Sequence, residues 1–323
     1  MSRRIAVYVG ILLFTVVNFM LWRSTNYGSG RLVQLYNGMS IWNWNYSKME
    51  MDLEEIRLKL DAELEMLSVM KQQMGKGEER SFDSLFQKMM TYSMSQVPIR
   101  KQVLRQISRQ EEFHLLYGSL APEVFCPAKV RVGTIGDGGK WVCNPWNVPN
   151  ETVLFSLGLN NWIGFEMEWQ RIVSNRNILY GFDAAEQNSE TLLTYSKIRG
   201  TSKKAIISVS SNPSSDIYTI EDLVKLVNAS SVEILKIDIE GAELTCLIPF
   251  LEKYQVCQIY LEIHGGALEH AKLLSEIAHL SYRLFSYEVN GYSMQACEYS
   301  FIHEQCVDRY KAMRIANYLD FKN

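Results

Sequence analysis

The sequence of 323 residues lacks the signals of several common protein classes. Its net charge is only -3, and no dense stripe of lysine and arginine is present, so no nucleic-acid partner is expected. No spacing of cysteine and histidine matches a zinc site. The motif G-x-S-x-G, the P-loop and the dinucleotide fingerprint G-x-G-x-x-G are also absent. These absences argue against a nucleic-acid-binding protein, a zinc protein, an α/β-hydrolase, a P-loop enzyme and a nicotinamide oxidoreductase.

One long apolar run stands at the N-terminus. Residues 5–22 carry no charge, and they are preceded by Arg3 and Arg4 and followed by Arg23. This length predicts a transmembrane signal anchor. The alternative is a cleaved signal peptide, although the run is longer than the usual apolar region and its end lacks small cleavage residues. The arginines before the run predict a cytosolic tail, residues 1–4, and a type II orientation.

The sequons and the cysteines agree with a lumenal body. The sequons begin at Asn45, Asn150 and Asn228. Six cysteines form an even set, as lumenal disulfides require. Proximity in sequence suggests the pairs Cys126–Cys143 and Cys297–Cys306, although connectivity cannot be deduced, and Cys246 is interpreted as a small buried hydrophobe. We therefore expect a single-pass membrane protein of the Golgi or endoplasmic reticulum.

Residues 23–80 are predicted to form a stem. Within it, apolar residues repeat at alternating spacings of four and three over residues 48–74, which is a heptad seam. The seam predicts either a coiled coil, through which the chain would form a homo-oligomer, or a solitary amphipathic helix packed on the body. Residues 81–124 are predicted to be a helical preamble to a domain at 125–323.

From about Phe125 the pattern alternates between strands and helices, which is typical of βαβ units. The predicted strands are Thr152–Leu157, Asn177–Phe182, Ala205–Ser210, Glu233–Ile239, Gln255–Ile263, Tyr282–Tyr287 and Glu298–His303. The predicted helices are Phe165–Asn175, Ser189–Ile198, Ile220–Val227, Ala242–Glu252 and Glu269–Leu280. We therefore predict a doubly wound α/β sheet, mostly parallel, with an antiparallel end.

The predicted strand Glu233–Ile239 runs into carboxylates around a glycine. Lys236, Asp238 and Glu240 share one side, because side chains of a strand alternate with period 2. Open α/β sheets bind ligands outside the carboxyl ends of their strands, so Asp238 and Glu240 are candidate catalytic residues. The alternative is a charged loop that caps a helix. Two carboxylates could bind a hard cation, but they supply only a few of the oxygen ligands that such a cation needs. No metal site is therefore predicted.

His264 is the third candidate catalytic residue. It directly follows the predicted strand Gln255–Ile263, just before two glycines, and by alternation Glu262 lies on the same side. A histidine at a strand end near a ligand could take a proton from a hydroxyl group, because its ordinary pKa lies near neutral pH. The alternative is a histidine that merely ends a strand.

Two strand ends have the features of a nucleotide-binding turn. Gly158 ends one strand and is followed by Asn160, whereas Asp183 ends the next strand. A glycine turn lets a ligand approach the backbone, and an acid on the next strand accepts hydrogen bonds from ribose hydroxyls. These residues fit a cofactor that contains adenosine.

A hairpin turn at Asp137-Gly138-Gly139 precedes the sheet. It has two interpretations. It is either only a hairpin stapled by a Cys126–Cys143 bond, or it covers the cofactor pocket through Arg131, Asp137 and the backbone of Gly138 and Gly139.

Residues 236–243, Lys-Ile-Asp-Ile-Glu-Gly-Ala-Glu, resemble the hallmark of FkbM-type S-adenosylmethionine-dependent methyltransferases. The Asp-Gly-Gly hairpin, Phe155–Gly158 and Gly181–Asp183 are similar in order and spacing to the metazoan methyltransferase-like 24 group. The resemblance runs from about Phe125 to His303. It implies a Rossmann-like methyltransferase domain with S-adenosylmethionine as cofactor. It also implies that the cofactor turn holds Gly158, that the ribose meets Asp183, and that the pocket floor holds Asp238, Glu240 and Glu243.

The expected function is lumenal O-methylation, with a glycan hydroxyl as acceptor. The acceptor follows from analogy with anchored, stalked glycan-modifying enzymes. The turn after Gly158 reads Leu-Asn-Asn-Trp and lacks the further glycines of the usual methyltransferase loop. This departure, together with the coiled coil, favours the alternative, a catalytically inactive membrane-anchored binding or assembly protein with the same fold.

Overall fold

The computed structural model describes residues 78–321 and, in addition, Arg57. The chain divides into two compact units, Met1–Phe82 and Asp83–Asn323, and the sheet described below belongs to the second. The predicted tail, the anchor at 5–22 and almost all of the stem with its coiled coil lie outside the described residues. Of the helices in the described part, none is long and apolar enough to span a membrane.

Helices and strands alternate along the described chain. The helices are α1 Glu78–Arg105, α2 Phe113–Ser119, α3 Gly164–Ile172, α4 Ser189–Lys197, α5 Ile220–Leu226, α6 Glu243–Leu251 and α7 Ala267–His279. The strands are β1 Val124–Phe125, β2 Lys129–Val132, β3 Lys140–Cys143, β4 Val153–Leu157, β5 Ile178–Asp183, β6 Gly200–Lys204, β7 Ile206–Ile207, β8 Ile217–Tyr218, β9 Ile234–Ile237, β10 Gln258–His264, β11 Tyr282–Val289, β12 Ala296–His303 and β13 Met313–Arg314. The predicted preamble, 81–124, contains most of α1 and all of α2.

The central sheet of residues 83–321 has the strand order β11-β12-β10-β9-β4-β5-β6. Strands β10, β9, β4, β5 and β6 are parallel, whereas β12 and β11 form an antiparallel edge. The chain builds outward from β4 to β6 on one side and from β9 to β10 on the other. The order therefore reverses between β4 and β9, and ligands bind open sheets at such a point. The predicted mostly parallel sheet with an antiparallel end is confirmed.

Alternating apolar residues cover both faces of the sheet. On one face, Phe155 of β4 and Leu235 of β9 pack under α5, α6 and α7. On the other face, Leu154 and Ile234 pack under α3 and the β2–β3 hairpin. Strands buried on both faces read as continuous apolar runs, and for that reason the central strands were predictable.

One predicted strand, Ala205–Ser210, is wrong. The sheet edge is formed by the preceding residues, Gly200–Lys204, whereas Ile206–Ile207 pairs with Ile217–Tyr218 in a separate two-stranded sheet. The edge strand β6 pairs with β5 alone and is largely exposed, so its polar sequence Gly-Thr-Ser-Lys-Lys carries no apolar pattern. Charged edge strands of this kind also resist pairing with other chains.

One of the two suggested disulfide pairs is confirmed and the other is wrong. Cys126 is bonded to Cys143, but Cys306 is bonded to Cys257, which leaves Cys297 and Cys246 as buried thiols. Cys297 lies near the start of β12 and Cys306 just beyond its end, so the strand separates them by roughly 20 Å at about 3.3 Å per residue. The antiparallel neighbour β10 instead brings Cys257 opposite the end of β12, where the His303 N–H donates to the Cys257 carbonyl.

Peptide mapping of the unreduced chain is expected to yield the linked pairs Cys126–Cys143 and Cys257–Cys306. Thiol labelling after denaturation should then modify only Cys246 and Cys297. Replacing Cys257 and Cys306 by serine should lower the free energy of unfolding by about 4 kcal/mol, because a loop of about 50 residues is no longer closed in the unfolded chain. A peptide that links Cys297 to Cys306 would contradict this connectivity.

A buried neutral histidine lies between α7 and β12. His270 is fully buried. Its Nε2–H donates to the Gln295 carbonyl (3.1 Å), so its Nδ1 accepts from the Tyr299 hydroxyl (2.8 Å). Burial lowers the pKa of His270 to about 4, because the cation would lose its hydration.

Stability is therefore expected to depend on the protonation of His270. In the unfolded chain this group titrates near 6.5, so between pH 6.5 and about 4 the unfolded chain binds more protons than the folded one. The contribution of neutral His270 to the free energy of unfolding is complete above pH 6.5. It decreases as the pH falls, and roughly 3 kcal/mol has been lost at pH 4. Urea denaturation of the wild type and of His270→Gln at several pH values measures it. Equal pH slopes for the two proteins would contradict the assignment.

Candidate active site

The carboxyl ends of β4, β5 and β9 meet at the point where the strand order reverses. The N–H of Gly158 donates to the Phe182 carbonyl (2.8 Å), and the N–H of Asp238 donates to the Leu157 carbonyl (3.0 Å). Gly158 has a positive φ of 85°, and a Cβ at this position would lie 1.8 Å from the Asp238 carbonyl oxygen. Only glycine satisfies both conditions. The sequence signals at Gly158 and Asp238 therefore belong to one place in the structure.

Asparagines provide left-handed backbone in the turn after Gly158. Asn160 and Asn161 have φ values of 46° and 56°. Among residues with a side chain, asparagine tolerates this region best. The Asn160 N–H donates to Asp183 Oδ2 (2.7 Å), and the Asn161 N–H donates to Gln187 Oε1 (2.7 Å). The turn is thus formed without the further glycines.

Asp183 ends β5 and is held by the backbone of the loops around it. Oδ2 accepts from Asn160, and Oδ1 accepts from the Ala185 N–H (2.8 Å). The side chain is half-buried. Each carboxylate oxygen has two lone pairs, so both can accept a second hydrogen bond, as a ribose would offer. The structure thus brings together Gly158, Asn160 and Asp183, which were predicted to bind the cofactor.

A buried ion pair supports the Gly158 turn. Lys236 Nζ lies 3.2 Å from the Gly158 carbonyl oxygen and 3.3 Å from Glu166 Oε1 of α3. Glu166 Oε1 also accepts from the Ser156 hydroxyl (2.5 Å). The side chains of Lys236 and Glu166 are 5% and 0% exposed, so they are charges removed from water. Lys236 therefore positions the turn rather than facing a ligand.

Glu243 orients His264 on the neighbouring strand end. Glu243 begins α6 and is fully buried. Its Oε1 accepts from the His264 backbone N–H (2.8 Å) and lies 3.2 Å from Nδ1, whereas its Oε2 accepts from the Gly241 N–H (2.9 Å). Because a carboxylate only accepts, Nδ1 is the donor, and Nε2 is turned toward the other acids.

Asp238, Glu240 and His264, the three predicted catalytic residues, are brought together. His264 Nε2 lies 3.9 Å from Asp238 Oδ1 and 3.7 Å from Glu240 Oε2. The observed strand β9 ends at Ile237, and Glu240, predicted to continue the alternation of Lys236 and Asp238, lies in the turn that follows, where it adopts a left-handed φ of 54° and is exposed. Non-glycine residues rarely adopt this conformation, which is enriched at functional sites.

The surrounding acids raise the pKa of His264. The hydrogen bond to Glu243 is the largest cause, and it outweighs the effect of burial to raise the pKa of His264 to about 9. At neutral pH the imidazole is therefore a cation, with both ring nitrogens protonated. Of the three candidates, Asp238 and Glu240 are then the groups that can accept a proton from a ligand.

A buried lysine joins the β2–β3 hairpin to the acids of the sheet. Lys140 Nζ binds Glu298 Oε1 of β12 and lies 3.7 Å from Glu262 Oε2 and 3.9 Å from Asp238 Oδ2. Its side chain is 1% exposed. Burial by itself lowers the pKa of Lys140, but the charges of Glu298, Asp238 and Glu262 outweigh it and raise the pKa.

Two of the acids around Lys140 have raised pKa values. Burial and the neighbouring Glu298 raise the pKa of Glu262 to about 8, although Lys140 opposes the shift. Burial likewise raises the pKa of Glu298. The single positive charge of Lys140 thus does not neutralise all the acids that surround it.

The hairpin turn forms as predicted, with β2 and β3 antiparallel. Arg131 binds Glu288 through Nε and Nη2 (3.1 Å each) and donates to the carbonyls of Thr134 and Gly136. These bonds give Arg131 a structural function in the loop. The Gly138 N–H donates to Asp137 Oδ1 (3.0 Å).

Other predicted and unpredicted residues meet beside the hairpin. Asp137, predicted to bind the cofactor, lies with Glu262 and Glu298, with one oxygen of each within 4.8 Å of the others. Lys140, Glu166 and Glu298 were not predicted as site residues from the sequence. The only signal for Glu298 and Glu166 was a carboxylate within an apolar strand or helix face.

The chain has a match among known protein families. The family model described as a methyltransferase domain (Methyltransf_22) matches residues 78–303, more than half of the chain. A comparison with curated proteins gives no match.

Solved structures give distant likenesses. The fibrillarin pre-rRNA processing protein of Methanococcus jannaschii is 9% identical, with a TM-score of 0.34 over 55% of this chain and 84% of that chain. Fibrillarin from Aeropyrum pernix, solved with natively bound S-adenosyl-L-methionine, is 11% identical, with a TM-score of 0.36 over 62% and 86%. Precorrin-6y C5,15-methyltransferase from Geobacter metallireducens is 9% identical, with a TM-score of 0.32 over 49% and 83%. At these scores the likenesses support no assignment of their own.

Lys236→Met is expected to lower the free energy of unfolding by about 3–5 kcal/mol, because it leaves Glu166 buried without its cation. The double variant Lys236→Met, Glu166→Gln should recover much of this loss. Urea denaturation measures both. Lys225→Met, which breaks an exposed pair with Glu221, is the matched control and should change stability little. If Lys236→Met were no more harmful than the control, the pair would not support the turn.

Proposed function

The chain belongs to a family of methyltransferase domains, and we propose that it transfers the methyl group of S-adenosylmethionine to a hydroxyl oxygen of a glycan. The observation that carries the site is the meeting of Gly158, Asp183 and Asp238 at the carboxyl ends of three adjacent parallel strands. Ligands of open α/β sheets bind at such a place.

S-adenosylmethionine is the cofactor, and it supplies a methyl group activated by a positively charged sulfur. The residues at the strand ends fit it. Asp183 offers carboxylate oxygens that retain acceptor capacity, as ribose hydroxyls require. Gly158 and Asn160 would line its approach, because both lie in the turn at the end of β4, where Gly158 is half-buried and Asn160 is exposed. Lys236 and Glu166 hold this turn in place.

The acids beyond the turn would serve the acceptor. A hydroxyl group becomes a better nucleophile as its proton is removed, and a positioned base contributes typically about 10²–10⁴-fold to such steps. Asp238 is half-buried and lies between Lys140 and His264. We assign proton acceptance to Asp238, with Glu240 at the exposed entrance and His264 held by Glu243. The larger part of the rate would come from fixing the two reactants in line.

A lumenal location in the secretory pathway is part of the proposal. The bonds Cys126–Cys143 and Cys257–Cys306 support it, because disulfides persist in oxidising compartments. The sequons at Asn150 and Asn228 lie on exposed residues, where glycosylation is possible. The apolar run 5–22 would anchor the chain as a type II protein of the Golgi or endoplasmic reticulum. This layout is similar to that of anchored glycan-modifying enzymes, and the proposed acceptor rests on that analogy.

The full chain is expected to bind S-adenosylmethionine in calorimetry and to transfer labelled methyl groups to a panel of glycans. Asp183→Ala should raise the dissociation constant of the cofactor about 10–100-fold, because hydrogen bonds to a charged group are lost. Asp238→Ala should leave cofactor binding nearly unchanged and reduce turnover about 10²–10⁴-fold, because the proton acceptor is gone.

Glu186→Gln is the matched control, since it removes an exposed carboxylate three residues after Asp183. It should change neither cofactor binding nor turnover. No binding of S-adenosylmethionine at millimolar concentration would overturn the enzyme proposal and favour a non-catalytic binding protein. Transfer to a protein or lipid panel alone would overturn the glycan acceptor while leaving methyl transfer intact.

A further inference from the structure

Three carboxylates converge beside the candidate catalytic residues. Asp137 comes from the hairpin loop, Glu262 from β10 and Glu298 from β12. Glu262 and Glu298 are directly opposite each other in the antiparallel register, where like charges destabilise a sheet. One oxygen of each of the three residues lies within 4.8 Å of the others.

The positive charge at this place does not balance the acids. Lys140 Nζ binds Glu298 Oε1 and also approaches Glu262 Oε2 (3.7 Å) and Asp238 Oδ2 (3.9 Å). A single ammonium group is therefore shared among three buried or half-buried carboxylates, and Asp137 adds a fourth. Because burial strengthens repulsion between like charges, the group favours a further cation.

An independent observation comes from the second oxygen of Glu298. Oε2 is buried and accepts no hydrogen bond from any part of the chain that the structure describes. Although 11% of the Glu298 side chain is exposed, this oxygen itself has almost no surface open to water. A buried acceptor of a charged group is costly to leave unsatisfied, and an unpartnered buried oxygen of this kind is commonly explained by an ion or water.

We propose that Asp137, Glu262 and Glu298 bind a hard divalent cation, of the class of Mg²⁺, Mn²⁺ and Ca²⁺. Such cations take oxygen ligands at about 2.0–2.6 Å, and carboxylates that repel each other when empty become ligands when a cation lies between them. Glu262 and Glu298 are the buried ligands on the sheet. Asp137 is exposed and closes the site from the hairpin, so the cation enters on the Asp137 side.

The proposed ligands are different residues from the candidate catalytic group, but the two groups are in contact. Glu262 Oε1 lies 3.8 Å from His264 Nε2, and Lys140 links Glu298 to Asp238. The proposal depends only on the carboxylates and not on methyl transfer, so a direct binding measurement tests it whether or not the chain has the proposed activity.

Mn²⁺ is the probe, because the electron paramagnetic resonance signal of the free ion disappears when the ion is bound. The full chain, freed of metal with a chelator, is expected to bind one Mn²⁺, and Mg²⁺ or Ca²⁺ should displace it. Binding should also raise the midpoint of thermal unfolding, because the folded chain alone holds the site.

Variants locate the ligands. Asp137→Asn should weaken Mn²⁺ binding at least about tenfold, since even outer-shell partners of a metal are worth about 10–100-fold. Its side chain is exposed, so the fold should remain intact. Glu298→Gln should weaken Mn²⁺ binding further. Its circular dichroism and unfolding midpoint report whether the fold is retained when Lys140 loses the charge of Glu298. Glu276→Gln, which changes the charge equally on the solvent-facing side of α7, should bind as the wild type does.

Two results would overturn the proposal. One is the absence of Mn²⁺ binding at millimolar concentration, which would mean that Glu262 and Glu298 share a proton instead. The other is binding that is lost in Asp238→Asn but unchanged in Asp137→Asn, which would move the cation to Asp238, Glu240 and His264.

Discussion

The site depends on the ion pairs that the ammonium group of Lys140 forms with the surrounding acids. It is almost completely buried, and it joins the β2–β3 hairpin to acids from β12, β10 and the end of β9. Without it, Glu262 and Glu298 would face each other across two strands with nothing to offset their repulsion. The same group fixes the position of Asp238. Removing one partner of such a buried set leaves uncompensated charges, which is far more costly than losing an exposed ion pair.

A second buried lysine has the corresponding function on the cofactor side. Lys236 and Glu166 hold the carbonyl of Gly158, and Gly158 in turn lies against the carbonyl of Asp238, too close for any side chain. Both lysines reach the face of the sheet that α3 and the hairpin cover. The turn that would receive a methyl donor and the acids that would receive an acceptor are therefore each held by a buried lysine.

The departure from the usual glycine-rich turn has a physical explanation. Asn160 and Asn161 adopt the left-handed backbone that glycine would otherwise provide, and their N–H groups bind Asp183 and Gln187. The turn is thus compatible with a family of methyltransferase domains, to which the chain belongs. The acidic character of the acceptor side is the more unusual property. It places several carboxylates, one imidazole and one ammonium group next to each other, and it is the reason for inferring a cation there.

The amino-acid pattern by itself determined the alternation of strands and helices, the parallel sheet with its antiparallel end, and the strand ends that carry Gly158, Asp183, Asp238 and His264. Apolar periodicity and glycine positions are local properties, so they can be read without the fold. The tertiary structure alone decided the partner of Cys306, the edge strand β6, and the meeting of Lys140 with Glu298, which are 158 residues apart. Such pairs depend on which strands become neighbours, and a chain does not encode that adjacency in any local spacing.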